Sequence, residues 1–471
     1  MTHQKHIAIL GAGPGGYVAA IRAAQLGARV TVVENQALGG VCLNWGCIPS
    51  KALLSVVELG DKVKKASELG LKLDGQVGYD LARMVARKNK VVETLVKGIV
   101  TLFKTWGVEH MEGTGALLDE RTLRVAKRDG SEARVQADAI ILATGSSWPN
   151  LPLFPIDGRQ IITSKEALDL IEIPASLLII GAGVEGCEFA SLYSGIGTQV
   201  TMVELLPRIL PLEDEEIAVF MDRELKKRGI TIHTGTTVEK LECENGAVKA
   251  ILENGIVIVA EKLLVSIGRG FNSKGIGLEK VGVQVGKRGE ILVDERLETN
   301  LPSVFAIGDV VGKAMLAHVA SAQGKVAIEN ILGHQRQINY DVVPAGIFTL
   351  PEIGRVGLTE HQARERSQKS EAEIKIGRFR HIALGKAHGV GDTTGLFKII
   401  ADAKNGAILG VHIIGAHAAD LIHEAALAMQ LGATASAVAE MIHAHPTLSE
   451  GIMEAAEDVD GLAIHLARKR G

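Results

Sequence analysis

Apolar runs followed by amphipathic stretches organise the beginning of the chain. Residues 7–10 form an uninterrupted apolar run of the length of a buried strand, and residues 17–26 follow with a helical pattern. Residues 30–33 form a second strand-like segment rich in valine, which ends at Glu34. A strand, a helix and a strand in this order predict a βαβ unit with parallel strands.

The same order of patterns returns in the middle of the chain. Residues 177–180 form an apolar run, a helical stretch continues to Tyr193, and the run at 199–203 ends at Glu204. The chain therefore contains an internal repeat, and each copy predicts its own α/β unit.

A turn with the spacing Gly-x-Gly-x-x-Gly joins the first strand to the helix in each copy. The glycines are Gly11, Gly13 and Gly16 in the first copy and Gly181, Gly183 and Gly186 in the second. In such a turn the first glycine permits the bend, the second lets backbone reach a pyrophosphate, and the third lets helix and strand pack closely. The carboxylates that end the second strands, Glu34 and Glu204, suit ribose hydroxyls. The pattern predicts two dinucleotide sites, and the alternative is two Rossmann-like folds whose glycines serve packing only.

A cysteine pair follows the first copy directly. Cys42 and Cys47 stand in Cys-Leu-Asn-Trp-Gly-Cys and can close a small disulfide. A structural disulfide is the weaker alternative, because the chain has only 4 cysteines. A redox disulfide beside a dinucleotide site predicts electron transfer between thiols and a nicotinamide through a flavin, so we assign FAD to the first copy and the nicotinamide to the second. Glu204 favours NAD, because a carboxylate there repels a 2′-phosphate.

Two further strand-like segments are expected to contribute to the FAD site. The run at 140–142 leads into Thr144 and Gly145, and the run at 304–307 leads into Asp309, which could bond ribityl hydroxyls. A helix cap is the other role open to Asp309, and the two roles are compatible.

Composition excludes several other classes of function. The 471 residues are 46% hydrophobic and 23% charged with a net charge of −4, which is ordinary for a soluble globular protein. No basic block suggests nucleic acid, and no uninterrupted apolar run suggests a membrane span. We expect no metal site and a reducing, cytoplasmic location.

His445 is the candidate general base, because an imidazole titrates near working pH and Glu450 in the same motif could orient the ring. Surface histidines or a metal site at His443 and His445 are the alternatives.

The motifs occur in a recognisable order: Cys42 to Lys51, both glycine turns, Ala143-Thr-Gly145, Ala306-Ile-Gly-Asp309, Met315-Leu-Ala-His318 and the segment from His443 to Glu450. In this order the chain resembles the FAD-dependent pyridine nucleotide–disulfide oxidoreductase family, and the first and last motifs resemble its lipoamide branch.

The resemblance implies a role for each matching residue. Cys47 would be the thiol nearest the flavin and Cys42 the one that exchanges with substrate, while Lys51 would bond to the flavin and to Glu188. His445 and Glu450 would act across a homodimer interface on the partner's disulfide. The further cofactor contacts implied are Gly115, Ala317, Val238 and Gly268.

The implied reaction is the oxidation of protein-bound dihydrolipoyl groups with NAD as acceptor. The lipoyl group would arrive on a protein of a 2-oxo acid dehydrogenase or glycine cleavage complex. An NADPH-dependent disulfide or metal reductase on the same scaffold is the alternative, and a subunit that mainly binds the core of a large complex is a third. One departure from the family pattern is Glu185 in the second turn, where the family usually has an aliphatic residue.

These placements predict the fold class and the domain limits. The class is α/β, with two Rossmann-like dinucleotide-binding domains and a C-terminal α+β dimerisation domain. The limits are 1–147 for the FAD domain, 148–271 for the NAD domain, 272–342 for a segment completing the FAD site and 343–471 for the dimerisation domain.

Overall fold

The computed structural model describes residues 4–244, 246–370 and 373–467. Its strands in chain order are β1 (His6–Leu10), β2 (Arg29–Glu34), β3 (Glu109–Glu112), β4 (Thr114–Asp119), β5 (Thr122–Ala126), β6 (Glu132–Gln136), β7 (Ala139–Leu142), β8 (Ser146–Ser147), β9 (Ile161–Ile162), β10 (Ser176–Ile180), β11 (Gln199–Glu204), β12 (Thr231–Thr234), β13 (Val238–Glu244), β14 (Ala247–Leu252), β15 (Val257–Ala260), β16 (Lys262–Val265), β17 (Gly270–Phe271), β18 (Val304–Ala306), β19 (Ala345–Ile347), β20 (Ile353–Gly357), β21 (Ile374–Arg380), β22 (Gly395–Asp402) and β23 (Ile408–Gly415). Its α-helices are α1 (Pro14–Gln25), α2 (Gly40–Trp45), α3 (Cys47–Lys64), α4 (Leu81–Trp106), α5 (Ser164–Ala167), α6 (Val184–Gly195), α7 (Glu215–Lys227), α8 (Leu278–Val281), α9 (Ala317–Ile331), α10 (Glu360–Ser370), α11 (Gly385–Val390), α12 (Ala418–Gln430), α13 (Ala435–Ala439) and α14 (Glu450–Asp458).

The first sheet is parallel and has the order β18-β7-β1-β2-β3. Helix α1 connects β1 to β2 and begins at Pro14, three residues before the predicted start, because proline is well suited to the first turn of a helix. Strand β18 pairs with β7 although a long stretch of chain separates them. Carboxyl ends of parallel strands share one edge, so Asp309 lies near the first glycine turn.

The second sheet is also parallel, with the order β12-β11-β10-β16-β9. Helix α6 connects β10 to β11 as the repeat predicts. Two antiparallel three-stranded sheets, β4-β5-β6 and β13-β14-β15, are additions that the repeat alone did not predict.

The third five-stranded sheet is antiparallel and has the order β19-β20-β23-β22-β21. The expected strands at 396–400 and 408–414 form its centre as β22 and β23. Both strands are buried along almost their whole length, which explains their continuous apolar sequence.

Gly46 divides the helical stretch that carries the cysteines into α2 and α3. By length and composition alone, the stretch 40–64 passes as a candidate membrane span, although its sequence pattern predicted none. In the structure part of this stretch lines a large cavity, and α3 packs against α4 and α6.

Candidate functional site

The first glycine turn has the geometry of a phosphate-binding turn. Gly11 has a φ of +105°, and a Cβ there would lie 2.2 Å from the Ala143 carbonyl oxygen. A Cβ on Gly16 would lie 1.9 Å from the Gly11 carbonyl oxygen, so both positions require glycine. A Cβ on Gly13 would meet nothing closer than 4.0 Å, which leaves its backbone open to a ligand.

The second turn repeats this geometry closely. Gly181 has a φ of +97° and a Cβ there would lie 2.1 Å from the Ser266 carbonyl oxygen. A Cβ on Gly186 would lie 2.0 Å from the Gly181 carbonyl oxygen, whereas a Cβ on Gly183 would meet nothing within 4 Å. Each turn therefore leaves one glycine facing open space at a helix N-terminus, as a pyrophosphate requires.

The two strand-end carboxylates also have equivalent partners. Glu34 accepts hydrogen bonds from the amides of Ala12 at 2.7 Å and Gln36 at 2.8 Å. Glu204 accepts them from the amides of Ala182 at 2.7 Å and Leu206 at 2.8 Å. Each carboxylate therefore ties its glycine turn to the end of the neighbouring strand and retains acceptor capacity for a ribose hydroxyl.

One cavity of about 1470 Å³ joins the two turns. Ordinary ligand pockets measure about 300–1,000 Å³, so this one has room for more than a single small ligand. The predicted residues that line it are Gly11, Gly13, Glu34, Cys42, Cys47, Lys51, Gly115, Thr144, Gly145, Gly183, Glu188, Gly268, Asp309 and Ala317. The predicted residues that do not line it are Gly16, Gly181, Gly186, Glu204, Val238, His445 and Glu450.

The residues on the wall of this cavity fit a dinucleotide cofactor in the first turn. The open Gly13 backbone, the helix N-terminus behind it and the carboxylate of Glu34 are the groups that a pyrophosphate and a ribose need. Val238, by contrast, has its side chain buried in the apolar core of the second unit.

The two cysteines lie on either side of the break between α2 and α3. Both are free thiols on the cavity wall, Cys47 exposed and Cys42 half-buried. A hydrogen bond between the side chains raises the pKa of Cys42, and burial raises it further. The same hydrogen bond lowers the pKa of Cys47, and the nearby ammonium of Lys51 adds to this against the effect of burial. Cys47 is therefore the more readily formed thiolate.

An ion pair connects the cysteine helix to the second unit. Lys51 Nζ lies 2.9 and 2.8 Å from the two carboxylate oxygens of Glu188 on α6. The amide of Phe348 donates to Glu188 at 2.9 Å, and the Lys51 ammonium lies 4.5 Å from the centre of the Phe348 ring. Glu188 is only 6% exposed, so its burial is compensated by these partners.

A second chain of hydrogen bonds, which the sequence did not predict, connects Asp309 to the other side of the cavity. The Ser146 hydroxyl donates to Asp309 at 2.5 Å, and Arg269 Nε donates to the Ser146 hydroxyl at 2.7 Å. The Arg269 guanidinium lies 4.7 Å from the Trp148 ring centre. The only sequence signal was that Ser146 directly follows the predicted turn at Thr144 and Gly145.

His445 and Glu450 form a pair outside this cavity. His445 Nδ1 lies 2.8 Å from one Glu450 oxygen, and the Thr447 amide donates to the other at 2.8 Å. Partial burial raises the pKa of Glu450, but the hydrogen bonds from Thr447 and His445 outweigh it and lower the pKa overall. The His445 side chain is 76% exposed, so its ring is held by Glu450 and open to an incoming group.

His443 is turned to different partners, Glu424 at 2.8 Å and the Met441 carbonyl oxygen at 2.9 Å. Over the described residues no group of three or more His, Cys, Asp and Glu side chains is placed to hold a metal ion.

Comparison with known proteins agrees with this geometry. Residues 5–324 match the family described as pyridine nucleotide-disulphide oxidoreductase, and residues 343–456 match the dimerisation domain of that family. The chain belongs to the pyridine nucleotide-disulphide oxidoreductase family.

Members of this family resemble the chain over nearly its whole length. The mitochondrial dihydrolipoyl dehydrogenase of Pisum sativum is 41% identical over 99% of this chain and 93% of its own. Dihydrolipoyl dehydrogenase of Geobacillus stearothermophilus is 41% identical over 98% of this chain and 97% of its own. The crystal structure of LpdA from Mycobacterium tuberculosis superposes with a TM-score of 0.90 at 29% identity, covering 97% of this chain and 99% of that one.

These findings confirm the expected family and the α/β fold class with its C-terminal dimerisation domain. They also confirm the expected class of enzyme, a flavoprotein oxidoreductase that uses FAD and NAD.

Proposed function

We propose that the protein is an NAD-dependent dihydrolipoyl dehydrogenase, which oxidises protein-bound dihydrolipoyl groups to lipoyl groups. The observation that carries this proposal is the position of Cys42 and Cys47, which line the same cavity as both dinucleotide turns. The relatives named dihydrolipoyl dehydrogenase, which are 41% identical, support it. FAD, when bound, supplies a two-electron carrier between a dithiol and a nicotinamide.

In this proposal Cys42 and Cys47 form the redox disulfide of the oxidised enzyme. A substrate thiolate attacks the Cys42 sulfur, the Cys42–Cys47 bond breaks, and Cys47 leaves as a thiolate. The second substrate thiolate then attacks the substrate sulfur of the mixed disulfide, so the lipoyl disulfide closes and Cys42 is released. A leaving thiol of low pKa leaves faster, and the pKa of Cys47 is lowered here.

His445 is proposed as the base that takes the substrate proton, with Glu450 orienting its ring and stabilising the imidazolium. Since neither residue lines the cavity of its own chain, we propose that they serve the cysteines of the partner in a homodimer. Ile442, three residues before His445, is 96% exposed, and an apolar side chain so exposed supports a subunit interface at this segment.

NAD is the proposed acceptor rather than NADP. Glu204 places a carboxylate at the end of β11, where it suits a ribose 2′-hydroxyl and repels a 2′-phosphate. Arg208, the nearest candidate for a phosphate partner, donates instead to the carbonyl oxygens of Pro211 at 3.2 Å and Glu213 at 3.5 Å.

The partner protein and the cellular location are also proposals. The partner would be a lipoyl-bearing protein of a 2-oxo acid dehydrogenase or glycine cleavage complex, met in the cytoplasm. The domain limits at 147, 271 and 342 and the cofactor contacts named from the sequence stay predictions.

The test is the rate of NAD reduction by dihydrolipoamide on the purified yellow protein, with NADP assayed beside it. Rapid turnover with NAD and slow turnover with NADP is the expected result. Absence of turnover in a protein that holds flavin and two intact thiols would contradict the proposal and favour the disulfide or metal reductase.

The arrangement across subunits has its own test. Chains carrying Cys42→Ser and chains carrying His445→Gln should each form inactive homodimers, but a mixed dimer has one site with both native residues. Random mixing should therefore restore about one quarter of the native activity. A mixture that stays inactive while mixed dimers form would place both residues in one chain's site.

A further inference from the structure

Glu185 stands in the second turn at the position that Gly15 occupies in the first, and its carboxylate belongs to the wall of the shared cavity. Its Oε2 accepts a hydrogen bond from the Ser266 hydroxyl at 3.2 Å. No ion pair to Glu185 is present among the described residues at 4.0 Å or less. The carboxylate is half-buried, the Ser266 hydroxyl is its hydrogen-bond partner, and the Arg269 guanidinium interacts with its charge from beyond ion-pair distance.

The position of Glu185 along α6 places it between two parts of the site. It lies in the first turn of α6, two residues after the open backbone of Gly183. Glu188, three residues later and on the same face of the helix, holds Lys51 of the cysteine helix. A dinucleotide that binds its pyrophosphate at Gly183 and directs its ring toward the cysteines must pass Glu185.

Glu188, the other carboxylate on this helix face, cannot exert the same electrostatic field on a ligand in the cavity. The charge of Glu188 is neutralised by Lys51 at 2.8 Å and bonded by the Phe348 amide. Arg269, the nearby cation, is turned to Ser146, with its Nη2 2.8 Å from the Ser146 carbonyl oxygen, and it stacks on Trp148. The negative charge of Glu185 is therefore available to a ligand in the cavity.

We propose that Glu185 selects between the two redox states of the nicotinamide, binding NAD⁺ in preference to NADH. The oxidised ring carries a positive charge and the reduced ring carries none, so a carboxylate beside the ring attracts only the oxidised form. The pyrophosphate is the same in both forms and is repelled equally. This inference rests on the proposed function, and it gives the second site a means to bind substrate and release product.

The experiment measures the dissociation constants of NAD⁺ and NADH by calorimetry on the oxidised flavoprotein. In Glu185→Gln the side chain still accepts from Ser266 but has lost its charge. The ratio of the NADH constant to the NAD⁺ constant should fall about fivefold, as expected for a charge pair at partial exposure. Glu185→Asp should retain most of the native ratio, and added salt should reduce the difference between native protein and Glu185→Gln. Glu172→Gln, which removes an exposed carboxylate outside the cavity wall, is the matched control and should leave the ratio unchanged.

Equal changes in both constants would overturn the inference, because they would place the charge at the pyrophosphate, and unchanged constants would overturn it as well. Binding is measured without turnover. If the native protein does not oxidise dihydrolipoamide but the ratio of the NADH and NAD⁺ constants changes in Glu185→Gln, only the proposed function is contradicted. If the native protein oxidises dihydrolipoamide but the ratio is the same in Glu185→Gln, only this inference is contradicted.

Discussion

Gly15 in the first dinucleotide turn and Glu185 in the second occupy equivalent positions, but only Gly15 is packed against a further helix. A Cβ on Gly15 would lie 3.2 Å from the Ala320 carbonyl oxygen of α9 and 3.2 Å from Ile307 Cδ1. The Ser321 hydroxyl of α9 also donates to the Pro14 carbonyl oxygen at 3.3 Å. Glu185 instead bonds to Ser266 and presents its carboxylate to the cavity.

The difference corresponds to the two kinds of ligand that the turns are proposed to bind. In the first turn, β18 and α9 arrive from a distant part of the chain and enclose the site, which suits a cofactor that stays bound. The second turn has the same backbone and the same carboxylate partners but a charged, reachable wall, which suits a substrate that exchanges in every cycle. In this interpretation the shared backbone geometry makes each turn a dinucleotide site, and the elements that cover the turn determine how long the dinucleotide stays bound.

The largest effect is expected from transferring the second turn's residue to the first. Gly15→Glu places a charged side chain against α9, where overpacking and an unpaired charge should destabilise the protein by about 3 kcal/mol or more and release flavin. Flavin content by absorbance and the thermal unfolding midpoint are the measurements. The reciprocal change, Glu185→Gly, should retain flavin. A Gly15→Glu protein with full flavin content and a native midpoint would show that α9 does not close the first site.

A smaller effect on ligand binding is expected from substituting the third glycine of each turn, where the two turns have the same geometry. Gly186→Ala brings a Cβ to 2.0 Å from the Gly181 carbonyl oxygen, so the second turn must shift. We expect the KM for NAD to rise by about tenfold, or 1.4 kcal/mol of binding free energy, while flavin remains bound. Gly16→Ala, the matched change at 1.9 Å from the Gly11 carbonyl oxygen, should lower flavin content instead. The same loss in both variants would mean that the two turns bind one ligand.

Lys51 connects the cysteine helix α3 to α6 of the second unit through Glu188. Its removal should alter the pH dependence of thiol alkylation. Its ammonium favours the Cys47 thiolate, so Lys51→Met should raise the pKa of Cys47 and shift the pH midpoint of alkylation by iodoacetamide upward. At neutral pH the reduced protein should then react several-fold more slowly. Lys62→Met, which removes the exposed partner of Glu58 from the same helix, is the control. An unshifted midpoint would leave the hydrogen bonds from the Cys42 side chain and the Cys47 backbone as the causes of the lowered pKa of Cys47.

The sequence predicted the repeat and the main chemical groups of the site, because both depend on the spacing of residues within short segments. The glycine turns, the carboxylates at Glu34 and Glu204 and the cysteine pair each lie within one short segment. The start of α1 was predicted late, because Pro14 and the glycines after it have no helical apolar pattern. The contacts from Ser146 to Asp309 and from Glu188 to Phe348 join residues 163 and 160 positions apart, and no local pattern specifies such pairs.

The smallest effect is expected from substituting the two carboxylates that end β2 and β11, and it should differ between them. Glu34→Gln and Glu204→Gln each leave one backbone amide without a good acceptor, since a carboxamide has one oxygen where the carboxylate uses two. We expect a similar loss of stability in both, about 1–2 kcal/mol. Only Glu204→Gln removes a charge from the nicotinamide site, so only this variant should gain activity with NADP relative to NAD, by about fivefold. Relative kcat/KM for the two coenzymes is the measurement, and an unchanged ratio in Glu204→Gln would mean that the shape of the site, and not the charge of Glu204, excludes the 2′-phosphate.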